Sequence, residues 1–143
     1  MEEALRLRLM LESTAAERAC DLRPEEAIPK VKRLLEAMEA SVDRPKIFMR
    51  RNTQFHFSIY SYSDSPLLLE IVNRLWARVF PYVFTYFFMT QENSKAMKRH
   101  GRMFQGLAEK NKKKMTDALR EDLEAAATII IPALEKATPH RSR

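Results

Sequence analysis

The sequence predicts an all-α fold, an antiparallel bundle of six or seven helices. Only two glycines occur, Gly101 and Gly106, whereas a β fold of this length needs many turns with positive φ. Apolar residues recur at three- and four-residue intervals along most of the chain, the spacing of one helix face. The alternating opening "LRLRL" runs on into Ala, Glu and Arg, which favour helix over strand.

Each element follows in order. "EEALRLRLMLESTAAERACD" suits a first helix through about Cys20. "RPEE" restarts the chain, with Pro24 fitting a first helical turn and Glu25 and Glu26 at its positive end. Pro29 is an alternative start. Val31, Leu34, Leu35, Met38 and Val42 then form a stripe. "DRP" at 43–45 breaks the pattern, and a third helix runs to about Tyr62. "SDSP" at 63–66 is a turn and N-cap signal ahead of Leu68, Ile71, Val72, Leu75 and Val79. Pro81 is expected to break or kink that helix and to begin an aromatic segment. "TQENS" at 90–94 opens a helix carrying Met97, His100, Met103, Phe104 and Leu107. The last helix covers about 112–136, with Pro132 near its end. The expected organisation is one domain over residues 1–137 and a disordered basic tail over 138–143.

Composition narrows the class. A chain of 143 residues with 45% hydrophobic and 31% charged residues is long enough to bury a core. The single cysteine, Cys20, excludes an internal disulfide framework and suits a reducing cytoplasm. The first twenty residues mix Glu, Arg and Leu and carry no signal pattern. The run "VFPYVFTYFFM" at 79–89 is too short to span a bilayer. The net charge of +6 comes largely from "KKK", "KRH" and the tail "HRSR". These read as solvated surface rather than a nucleic-acid footprint.

The informative residues are polar ones on apolar stripes. Phe48, Phe55 and Ile59 set the inward face of the third helix, and Asn52 and His56 fall between them, one turn apart. His100 precedes Met103, Phe104 and Leu107. Asp122 interrupts the stripe of Met115, Leu119, Ala126, Ile129 and Ile130. A carboxylate there is costly unless it is paired or bound. Taken singly, each has a plainer reading. Either histidine suits a core site with one hydrogen bond, and Asp122 suits a stripe edge paired with a base. Arg8 and Glu12 read as a surface i,i+4 pair, and residues 80–88 as core or dimer interface.

Three blocks resemble the FCD domain, the all-helical effector-binding and dimerisation half of GntR-type bacterial transcription regulators. They are "RLMLESTAAERA" (8–19), "NTQFHFSIYSYSDSPLLLEIVNRLW" (52–76) and "HGRMFQGLAEKNKKKMTDALREDL" (100–123). The resemblance implies a bundle around a central ligand pocket. In metal-binding members one Asp and three His hold a divalent ion at the pocket floor. Carried over, these become Asn52, His56, His100 and Asp122, so two ligands are kept and two changed. The family's turn Asn appears as Ser65, and its usual Gly-Asp before the last helix as Lys110-Asn111. Two imidazoles and one carboxylate suit zinc, nickel, iron(II) or manganese. Asp is shorter than His, so reach to an ion through water or a backbone shift is one expectation. A metal-free polar floor of the same four residues is the other.

The function this implies is effector sensing: a small organic acid enters the bundle and meets Asn52, His56, His100, Asp122 and Arg8. The protein is expected to be a cytoplasmic homodimer without membrane contact, reaching DNA only through a winged-helix domain not present in these residues. Two alternatives stand beside it. One is a metal-dependent helical-bundle enzyme, although no nucleophile–base pair, Glu-x-x-His pair or phosphate loop is found. The other is a degenerate dimerisation domain with its pocket filled by Phe84, Tyr86 and Phe88.

Overall fold

A computed structural model describes residues 1–90 and 92–137. These residues form six helices: α1 (Glu2–Leu22), α2 (Ala27–Glu39), α3 (Pro45–Ser61), α4 (Pro66–Thr90), α5 (Asn93–Ala108) and α6 (Lys112–Ala137). No strand occurs among the described residues. The expected tail at 138–143 lies outside them. No described helix is long and apolar enough to cross a membrane.

α1 is the axis of the bundle, packing against α3, α4, α5 and α6. Its buried face explains why. Ala15, Ala16 and Ala19 are fully buried and small enough to let four neighbours approach. The other large contacts are α5 with α6 and α2 with α3 and α5. A core of Phe48, Phe55, Ile59, Met103, Leu107, Met115 and Leu119, all fully buried, fills the space between them.

The α5–α6 corner is the tightest contact. A Cβ on Gly106 would lie 2.7 Å from the Met115 backbone nitrogen, so only glycine fits. Lys110 turns the chain with φ 51°, the left-handed region. Asn111 N–H then donates to Gly106 O at 2.8 Å, and Asn111 Oδ1 accepts from Lys114 N–H at 3.0 Å, capping α6. Buried Arg23, just past α1, donates to the last α5 carbonyls, Leu107 O and Ala108 O, both at 2.8 Å.

Several sequence expectations need correction. The break offered at Pro81 does not occur, and α4 continues through it as one helix. The buried side chains Val79, Val83, Tyr86 and Phe87 hold both halves in place and offset the one backbone bond that proline cannot make. The inward face of α4 is Val72, Trp76, Val79 and Val83, while Ile71 is exposed. On α6, Ile130 is buried and Ile129 is exposed. α2 starts at Ala27, between the two prolines proposed for it. Residues 24–26 form a turn closed by Ala27 N–H to Pro24 O at 3.1 Å.

Candidate functional site

α3, α5 and α6 bring three donor atoms together at the centre of the bundle. His56 Nε2 lies 3.1 Å from His100 Nε2 and 3.4 Å from Asp122 Oδ2, and His100 Nε2 lies 3.3 Å from the same oxygen. Both imidazoles are fully buried and the Asp122 side chain is 9% exposed. The three atoms form a nearly equilateral triangle. An ion bound at about 2.0–2.1 Å to each of three ligands holds them about 3.0–3.4 Å apart, so the spacing fits a divalent metal directly. No water or backbone shift is needed for Asp122 to reach, because its Oδ2 already lies 3.3–3.4 Å from both ring nitrogens.

The electrostatics favour a neutral His100 ring and an ionised Asp122. Burial lowers the His100 pKa from its usual 6.5, against the pull of Asp122, and keeps the ring neutral. Burial alone would raise the Asp122 carboxyl. The adjacent His100, by its charge interaction and its hydrogen bond, outweighs it and holds Asp122 well below 3.8. Arg99 adds to this, donating from Nε to Asp122 Oδ1 at 3.0 Å and leaving Oδ2 facing the rings.

A second polar layer lies behind His56. His56 Nδ1 is 3.2 Å from the Tyr60 hydroxyl, which donates to Glu12 Oε2 at 2.5 Å. Glu12 Oε1 accepts from Arg8 Nε at 2.7 Å and from Trp76 Nε1 at 3.0 Å. The Arg8 guanidinium also lies over the Trp76 ring, 4.7 Å from its centroid. Arg8 and Glu12 are therefore a buried pair, 3% and 0% exposed, and not the surface pair their spacing suggests.

A small cavity of about 20 Å³ opens beside the triangle, room for about one water molecule. Arg8, Asn52, His56, Trp76, Phe87 and Asp122 line it. Asn52 is 3% exposed, and its Oδ1 is buried without a partner. His100 Nδ1 and Arg99 Nη2 are likewise unpartnered. Orphaned buried polar atoms are rare and call for an explanation.

All five residues expected at the site thus converge on one region: Asn52, His56, Arg8 and Asp122 around the cavity, and His100 in the triangle. The expected central pocket, however, is the size of one water. The bulky residues proposed to fill it do not do so. Phe84 stacks between Phe80 and Phe88 along α4, and Tyr86 bonds Glu92. Phe87 is the aromatic wall instead. Sequence reasoning missed Glu12, Tyr60, Trp76 and Arg99. A signal for Glu12 was present, since Leu5, Arg8, Glu12, Ala15 and Ala19 share one helical stripe.

Residues 3–125 match the family model of the FCD domain. Among solved structures, E. coli McbR/YncC is similar, with a TM-score of 0.83 and 20% sequence identity. The alignment covers 93% of this chain and 65% of that one, so the chain spans less than two thirds of that relative. No match to this sequence was found among curated proteins.

Proposed function

The chain belongs to the FCD domain family, effector-binding regulatory domains of GntR-type regulators, and from that premise we propose that it senses a small organic acid through a divalent metal. The single observation that carries the reading is the triangle of His56, His100 and Asp122, with donor atoms 3.1–3.4 Å apart. Asn52 supports it, because it lines the same cavity and its buried Oδ1 has no partner. The ligand set suits zinc, nickel, iron(II) or manganese. Such an ion supplies positive charge and open coordination positions for a carboxylate.

The chain's own residues would do the rest. Arg8 makes one hydrogen bond among the described residues, from Nε. Its two terminal nitrogens remain for a carboxylate. Asn52 offers an amide to a neighbouring hydroxyl or carbonyl. The cavity must open to admit an acid, and the α4 wall of Val83 and Phe87 is the element to move. Motion of α4 between two positions, one favoured by the effector, is what a sensor requires. In this reading the protein is a cytoplasmic homodimer whose response reaches DNA through a winged-helix domain outside these residues. Its role is regulatory, not catalytic.

The test is elemental analysis of protein purified without an affinity tag, compared with His56→Ala. Near-stoichiometric divalent metal in the wild type, lost in the variant, with melting lowered by chelator, supports the reading. No metal, and no change in melting with added zinc, nickel or manganese, removes the ion from it. Larger, uncoordinated ligands would then be screened.

A further inference from the structure

We propose that Glu12 and Tyr60 are positioning residues that hold His56 in the Nδ1–H tautomer, with its Nε2 lone pair facing His100 and Asp122. The inference rests on the metal reading only for its purpose, not for its geometry.

The donors and acceptors of the buried chain fix where each proton sits. Arg8 Nε and Trp76 Nε1 can only donate, so Glu12 Oε1 is an acceptor for both. Tyr60 has one hydroxyl proton and gives it to Glu12 Oε2 at 2.5 Å. Towards His56 its oxygen can then only accept. His56 Nδ1, 3.2 Å away, must donate. A neutral imidazole carries one N–H, so Nε2 is left as a lone pair.

His100 gives an independent line to the same assignment. Its Nδ1 is buried with no partner. A buried N–H without an acceptor costs more than a bare ring nitrogen, so the His100 proton belongs on Nε2. There it finds His56 Nε2 at 3.1 Å and Asp122 Oδ2 at 3.3 Å. Two N–H groups cannot face each other at that distance, so His56 Nε2 is the acceptor. The site is therefore asymmetric. His56 is already in the ligating form, whereas His100 holds the triangle together with its own proton until an ion displaces it.

The relay also explains why a carboxylate is buried on α1. Replacing Glu12 by Gln reverses the chain. The amide oxygen must still accept from Arg8 and Trp76, which turns the NH2 towards Tyr60. Tyr60 then accepts from Gln and donates to His56 Nδ1, the His56 proton moves to Nε2 and blocks the triangle, and the His100 proton is displaced to its unpartnered Nδ1.

Nitrogen-15 NMR of the metal-free protein in mildly alkaline buffer reads the tautomer directly. The expected result is His56 protonated at Nδ1 in the wild type and at Nε2 in Glu12→Gln. Tyr60→Phe should lose the bias while conserving ring volume. Zinc affinity, measured by chelator competition, should fall about 10–100-fold in both variants. An Nε2-protonated His56 in the wild type overturns the proposal, as does a tautomer unchanged in both variants. If Glu12→Gln does not fold, the wild-type spectrum and Tyr60→Phe decide. A wild type with the expected tautomer that binds no metal supports the relay and sinks the metal reading.

Discussion

Arg99 Nε lies 3.0 Å from Asp122 Oδ1 while Asp122 Oδ2 faces both imidazoles. One carboxylate is thus divided between a cation at the rim and two rings in the core. Arg99 comes from α5, one residue before His100, so the same helical turn supplies a ring to the triangle and the guanidinium that orients its third member. Its side chain is 12% exposed, which lets the carboxylate remain ionised beside two buried histidines.

Arg99→Gln should therefore do more than remove a surface charge. A charge-assisted hydrogen bond is lost and a largely buried carboxylate is left underpaired, for a cost of about 1–3 kcal/mol. Urea unfolding of the metal-free protein reads this as a lower midpoint. A shift no larger than that of the exposed pair variant Arg74→Gln would show that Arg99 does not support Asp122.

Acid sensitivity follows from two depressed pKa values. Burial lowers His100 below 6.5 and its surroundings hold Asp122 well below 3.8. In both cases the unfolded chain binds the proton first, so stability is complete above about pH 6.5 and declines as pH falls. The slope is at most about 1.4 kcal/mol per pH unit for each proton. A first decline begins near 6.5 from His100, and a second below 3.8 from Asp122. Melting curves of chelated protein across this range test it. His100→Asn should lack the first decline, and a wild type equally stable at about pH 5 and pH 7.5 would contradict the assignment.

Most of the bundle was legible because helix signals are local. Proline, turn and stripe patterns placed every helix to within a few residues except the end of α4, expected at Pro81 and found at Thr90, and Asn52, His56, His100 and Asp122 stood out as polar residues on apolar faces. Pro81 misled because its cost is local while its compensation, the burial of Val83, Tyr86 and Phe87, is tertiary. Glu12 misled for a related reason. An Arg–Glu pair at i,i+4 has the same sequence on a surface and in a core, and only the arrival of Tyr60 from α3 and Trp76 from α4 distinguishes them. Arg99 sits beside a site residue in sequence, yet its partner lies 23 positions away.

The two glycines should respond in opposite directions to alanine. Gly101 is inside α5, where an added Cβ would meet nothing within 4 Å, so Gly101→Ala should stabilise by up to about 1 kcal/mol through helix propensity. Gly106→Ala places its Cβ 2.7 Å from Met115 N and 2.9 Å from Met115 Cα. Backbone must yield there, and a loss of about 1–3 kcal/mol is expected. Urea midpoints of the two variants check both signs, and a neutral Gly106→Ala would mean that α5 and α6 are less closely apposed.

Trp76, the only tryptophan, should report the state of the site. It is 5% exposed, bonded to Glu12, and its ring lies 5.4 Å from the His56 ring. Burial predicts blue-shifted emission in the metal-free protein. A paramagnetic ion such as nickel or manganese held by His56 would sit within a few ångströms of the indole and quench it, whereas zinc would not do so by that route. Titration with nickel should therefore give saturable quenching that His56→Ala abolishes, because the ring that joins indole to ion is gone. Phe57→Leu is the control: Phe57 also packs on Trp76, at 5.3 Å, but takes no part in the hydrogen-bond network of the triangle, so the nickel response should persist. Equal quenching in wild type and His56→Ala would place the ion elsewhere on the surface and separate Trp76 from the proposed centre.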